Sequence, residues 1–188
     1  MLEKFIYKFV DSIAEYNNFT ENQTIQAKYS LKIISYELIK VLFLLLILYI
    51  FNYFKEGFLI ILVMSSIKPF IGGYHEDTQL KCFIATLIII VLIIFLAKNN
   101  ILTFESCLIL NFISIFSIYN KAPIINDKMP ITREDLIKRN RKIGLITTIF
   151  LSSLSIIFFK ITWFSQIIVW TILVQTILMF NKYKILRR

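Results

Sequence analysis

Six stretches of this chain carry no charged side chain: 41–54, 57–67, 82–97, 106–120, 143–159 and 161–181. A water-soluble domain of 188 residues exposes too large a share of its surface to hide them. Hydrophobic residues make up 57% of the chain and charged ones 18%, whereas soluble domains run at roughly 45–50% and about 25%. The fold class that remains is all-α, a polytopic helical bundle in a membrane, because helices pair their own backbone groups where no water can. Disorder, coiled coil and collagen do not fit this composition, and two cysteines are too few for a disulfide-rich secreted module.

A lone upright helix needs about 20 apolar residues to cross, and only 161–181 is that long. The other runs borrow length from flanks such as 31–40, whose lysines snorkel, or stay partly buried in protein. The 57–67 run is the shortest and would rise only about 16 Å as a helix. It either continues through Pro69 with a bend or dips into the membrane and returns. The sequence predicts about six transmembrane or membrane-embedded helices, or four full spans with two short elements.

The net charge of +9 is concentrated in two places. Segment 119–142 holds seven Lys/Arg against Asp127, Glu134 and Asp135, and the tail carries Lys182, Lys184, Arg187 and Arg188. Both belong on the cytoplasmic side of a cell membrane. Counting back through the spans places the turn at 98–100 outside, loop 68–81 inside, the turn at Lys55–Glu56 outside and the N-terminus inside with the C-terminus. Anionic lipids are one counterpart for such patches and an acidic peptide a second. Nucleic acid is not expected, because few aromatic residues interleave with the charge.

The first forty residues lack the pattern of a secretory signal. Leu2, Phe5, Ile6, Phe9 and Ile13 recur at helical spacing among charges, which predicts an amphipathic helix over 1–22 that lies in the membrane surface or packs on the bundle. Segment 17–22 breaks it, and a second helix is expected from near Thr24 into the first span. Residues 23–188 form the remaining domain. Within it, Pro123 and Pro130 interrupt the basic loop 119–142, and Thr132 with Asp135 resembles a capping box for a helix starting at Arg133.

One polar island stands out. Loop 68–82 reads Lys-Pro-Phe-Ile-Gly-Gly-Tyr-His-Glu-Asp-Thr-Gln-Leu-Lys-Cys and contains the only histidine of the chain and two of its four glycines. Asp77 or Thr78 is placed to cap the next helix, so Cys82 falls near a helix N-terminus, where the unpaired N–H groups favour a thiolate. His75 can then serve as its base, provided the chain folds back, because on one unbroken helix the two backbones would lie about 10 Å apart. Glu76 or Asp77 can orient the imidazole, Gln79 or backbone N–H groups can serve an oxyanion, and Lys68 can meet an acidic part of the substrate. The plainer readings are a small apolar filler at Cys82 and a solvated loop at His75. Cys107 sits among Leu and Ile and reads as filler, and Glu105 reads as an interface residue or one in need of a partner. One histidine with Cys82, Glu76 and Asp77 is a poor ligand set, so neither a metal nor another cofactor is expected.

These residues resemble the accessory gene regulator B family of bacterial membrane cysteine endopeptidases. The likeness centres on Gly72-Gly73-Tyr74-His75 with Cys82 seven residues later, and segment 119–130, with Tyr119, Pro123 and Pro130, is similar to the second recognisable stretch of the family. The resemblance implies that Cys82 is the nucleophile, His75 the base and Gly73 a glycine needed for activity. Lys68 stands where the family has Arg and Glu76 where it has Ala; Lys keeps the charge but not the planar fork. It further implies a substrate: a small amphipathic precursor peptide with an acidic C-terminal part, met by Lys68, Lys121, Lys128 and Arg133. Cleavage through an acyl-enzyme at the cytoplasmic face, ring closure to a thiolactone or lactone for quorum sensing, and action as a homodimer follow from the same likeness. The reading it competes with is a non-enzymatic transporter or peptide-export subunit.

Overall fold

The computed structural model describes residues 2–73, 78–124 and 133–180. Seven helices account for nearly all of them: α1 Leu2–Tyr16, α2 Glu21–Ile50, α3 Phe54–Ile71, α4 Gln79–Asn99, α5 Phe104–Lys121, α6 Glu134–Ile157 and α7 Thr162–Met179. The chain divides into two compact units, Met1–Ile47 and Leu48–Arg188, with the division inside α2.

In the first unit, α1 and α2 are joined by a turn in which Asn18 takes φ 53°. The second helix starts at Glu21, one turn before the expected Thr24, because Thr20 and Gln23 form a reciprocal capping box. The Gln23 N–H donates to Thr20 Oγ1 at 3.3 Å and the Thr20 N–H to Gln23 Oε1 at 2.9 Å. Charge then ties the two helices together: Lys28 pairs with Asp11 at 2.6 Å and Lys32 with Glu3 at 2.7 Å, while the Tyr36 hydroxyl donates to Glu3 at 3.1 Å. Ile6, Val10 and Ala14 form a buried row on α1, while Phe5, Phe9 and Ile13 form a second, exposed row. The apolar residues of α1 thus serve two faces, where the sequence suggested one.

The second unit is built around α7, which packs against α3, α4, α5 and α6. In its apolar window 61% of residues are buried, against 17% for α4, so α7 is the central helix and α4 a peripheral one. Among the described residues, three helices are long and apolar enough to cross a membrane: α2, α4 and α7. Lys68 and Pro69 lie within the last turn of α3, so the short run 57–67 is the middle of an 18-residue helix that continues through the proline. The turn before it is at 51–53 and not at Lys55–Glu56: Asn52 takes φ 62°, and Lys55 and Glu56 open α3.

The hydrophobic core joins Val63, Ile67 and Ile71 of α3 to Ile118 of α5, Leu151 of α6 and Ile168, Ile172 and Met179 of α7. Apolar side chains gain little from leaving lipid for protein, so close fit and hydrogen bonds must hold such helices together. Gly144 of α6 gives that fit, because a Cβ there would press on Phe70 and Ile71. Asn111 of α5 supplies a bond across the interior, donating to Ser155 of α6 at 3.0 Å, and Ser165 of α7 donates to the Ser155 carbonyl at 2.8 Å.

At one end of this unit lie the turns 51–53 and 100–103. Lys98 stands 4.3 Å from the centre of the Tyr53 ring, and Gln166 of α7 bonds both backbone groups of Leu102. The C-terminal ends of α3, α5 and α7 and the N-terminal ends of α4 and α6 gather at the opposite end.

The Lys32 ammonium first, and the Tyr36 hydroxyl second, hold the Glu3 carboxyl below the usual carboxylate range. A group lowered in this way stabilises the α1–α2 pairing above its unfolded pKa, and the contribution is lost as pH falls through the folded value. Spin labels on α1 and the first half of α2 are therefore expected to show a broadened distance distribution on acidification. Glu3→Gln is expected to broaden it already at neutral pH.

Candidate active site

The site is assembled where α3 stops. Gly72 caps the helix with φ 74° and ψ −158°, its N–H donating to the Lys68 carbonyl at 3.1 Å, and Gly73 follows with φ 125°. Side chains rarely tolerate these angles. Gly72 is constrained a second time, because a Cβ would collide with the carbonyl oxygen of Ile124, whereas one on Gly73 would meet only ordinary contacts with Leu178 and Met179.

Ile124 is there because its N–H donates to the Ile71 carbonyl at 2.9 Å, which forms an isolated parallel bridge between residues 72 and 124. The two segments that carry the sequence likeness, 68–82 and 119–130, are thus joined through their backbones. Ala122 and a cis-linked Pro123 lead from the end of α5 into this bridge. Arg141 of α6 adds a second tie, donating to the Tyr119 carbonyl at 2.7 Å with its guanidinium 5.3 Å from the Tyr119 ring centre.

The following helix, α4, begins at Gln79. Thr78, one of the two expected caps, is its N-cap, with Oγ1 accepting from the Lys81 N–H at 3.3 Å. Cys82 is the fourth residue of α4; its N–H donates to the Thr78 carbonyl at 2.9 Å, and its carbonyl accepts from Thr86 Oγ1 at 2.7 Å. The thiol is half-buried. Thr78 is extended, with ψ 150°, so the helix that carries Cys82 does not continue back beyond Gln79. His75, Glu76, Asp77, Lys128 and Thr132 lie outside the described residues.

A small cavity of about 20 Å³ opens beside Cys82, lined by Lys68, Gly72, Ala85, Thr86, Ile89, Gln175 and Leu178. It is large enough for about one water molecule or one polar atom of a ligand. Lys68 therefore shares a wall with Cys82, whereas Gln79 is exposed on the first turn of α4 and is not part of the lining. Lys121 is exposed at the end of α5. Arg133 forms an exposed two-point ion pair with Asp135, at 2.6 and 3.2 Å, and the guanidinium holds the Asp135 carboxyl below its usual range. This pair stands at the start of α6, where Arg133 is the N-cap residue and makes no capping hydrogen bond with its side chain. Cys107 is fully buried in α5, and Glu105 lies in the first turn of that helix, where a negative charge suits the helix dipole. Gln175 was not singled out from the sequence, though an amide inside an apolar run is a signal that could have found it.

Gly72→Ala forces a strained backbone, at about 1–3 kcal/mol, and also breaks the contact with Ile124. It is expected to lower the melting temperature in detergent more than Gly73→Ala, which meets strain alone. Equal melting temperatures would mean that the 72–124 bridge does not contribute to stability.

The family described as Accessory gene regulator B matches residues 6–179. AgrB-like protein 1 of Clostridium perfringens (strain 13 / Type A) is 48% identical over 183 residues, 97% of this chain and 98% of the relative. An AgrB-like protein of Clostridium perfringens (strain SM101 / Type A) is 30% identical over 86% of this chain and 79% of its own length. Accessory gene regulator protein B of Staphylococcus aureus (strain bovine RF122 / ET3-1) is 26% identical over 92% of this chain and 90% of its own. No solved structure matches the chain. With nearly its whole length accounted for, the chain belongs to the accessory gene regulator B family and is a membrane-embedded cysteine endopeptidase that processes a signalling-peptide precursor for quorum sensing.

Proposed function

We propose that Cys82 is the nucleophile of this peptidase and His75 its general base and acid, at the cytoplasmic face of the membrane. The observation that carries this reading is the break between Ile71 and Gln79, which sets Cys82 in the first turns of a new helix beside a cavity it shares with Lys68. The Cys82 thiolate attacks a peptide carbonyl carbon and a C–S bond forms. The C–N bond then breaks as the His75 imidazolium gives its proton to the departing amine. A thiol or hydroxyl of the bound peptide attacks the thioester, which closes a thiolactone or lactone ring and returns the Cys82 thiol.

Lys68 meets the acidic part of the precursor at the cavity, and Lys121, Lys128 and Arg133 extend the positive surface along which it lies. Gly73 shapes the loop, Glu76 or Asp77 orients the imidazole, and Gln79 remains a polar group of the entrance. The chain crosses the membrane about six times with both termini in the cytoplasm, a reading supported by the basic residues at the α3 and α6 ends where the site lies. Segment 1–22 is an interfacial element through its helix α1, with the exposed Phe5, Phe9 and Ile13 facing lipid and anionic headgroups beside its lysines. Residues 23–188 form the peptidase domain, and two copies act together.

Co-expression with a matching precursor tests this. Wild type is expected to yield a thioester on Cys82 that can be trapped, and a product lighter by one water than the hydrolysed fragment. Cys82→Ala and His75→Ala are expected to abolish cleavage at normal protein level. Cleavage that persists in Cys82→Ala would eliminate the nucleophile.

A further inference from the structure

Two glutamines lie inside α7, and the structure treats them differently. Gln166 is satisfied at both ends: its Oε1 accepts from the Leu102 N–H at 3.2 Å and its Nε2 donates to the Leu102 carbonyl at 3.4 Å. Gln175 is nine residues further along, on the opposite face of the helix and about 13 Å along its axis. It is only 2% exposed, and its Nε2 finds no acceptor among the described residues. A buried amide N–H without an acceptor is unfavourable, and a polar group of this kind inside a membrane helix is a reason to look for a function.

The place of this group gives it a use. Gln175 lines the cavity beside Cys82, from the helix that faces α4, and the space between them holds about one polar atom. We propose that the Gln175 side-chain amide donates a hydrogen bond to the oxyanion formed when the Cys82 thiolate adds to the scissile carbonyl. This deepens the reading of Cys82 as nucleophile and rests on it. As the C–S bond forms, the carbonyl π electrons move to oxygen, and the Nε2–H stabilises that charge; as the C–N bond breaks, the carbonyl re-forms and the hydrogen bond relaxes. No atom passes to or from Gln175. A donor held in place by the packing around it needs little reorganisation as the charge develops, which is what makes such groups effective.

Gln175→Met keeps the length of the side chain and removes the N–H. Single-turnover formation of the Cys82 thioester is expected to slow by about 100- to 1,000-fold. The KM for the precursor and the rate at which iodoacetamide alkylates Cys82 are expected to stay unchanged. Thioester formation at the wild-type rate overturns the assignment, and so does a loss matched by slower alkylation, which marks a packing role. Should the Met variant fail to accumulate, Gln175→Asn retains the amide but withdraws it by one methylene. It is expected to give the same loss of kcat at unchanged KM, and wild-type turnover in it is equally decisive against the role. Cys82→Ala measured alongside separates the two ideas: cleavage surviving there removes the nucleophile, whereas cleavage lost there but normal in Gln175→Met removes only the oxyanion donor.

Discussion

A helix that ends inside an apolar environment leaves carbonyl oxygens that must find donors. At Ile71 the donor is the N–H of Ile124, fifty-three residues away in sequence, and much of the site follows from that one bond. It brings the segment after α5 against the end of α3 and leaves no room for a side chain at 72. The chain must then turn through two glycines with positive φ before a new helix can start at Gln79. Cys82 is in a first turn, and not mid-helix, because α3 was stopped in this way.

Much of this was legible in the sequence, for particular reasons. Thr78 and the glycine pair marked the break, since a cap residue and residues free of a Cβ are local signals. The apolar runs announced membrane helices but misplaced some of their ends. Charge at Lys55 and Glu56 points to a turn there, but the turn is made by Asn52, and Pro69 is accommodated in the final turn of α3. The Thr20–Gln23 capping box was there to be read and sets the start of α2. The contacts from Gln175 to the cavity and from Ile124 to Ile71 could not be read, because they depend on which helix faces which, and a single sequence carries no record of that.

The polar residues of the interior divide by what they bond. Asn111, Ser155 and Ser165 connect α5, α6 and α7 through short hydrogen bonds and replace the driving force that burial supplies in water. Lys68 and Gln175 stand instead around an opening. Ser155 near the end of α6 and Ser165 in the first turn of α7 thus place these ties toward the end of the bundle away from the cavity that Lys68 and Gln175 line.

The double bond pair between Gln166 and Leu102 has a mechanical meaning. Because both ends of one amide engage a single residue's backbone, α7 cannot slide along its own length without losing two hydrogen bonds at once. That anchor lies at the far end of the bundle from Cys82, so the depth at which Gln175 meets the cavity is gauged from the opposite side of the membrane-embedded unit.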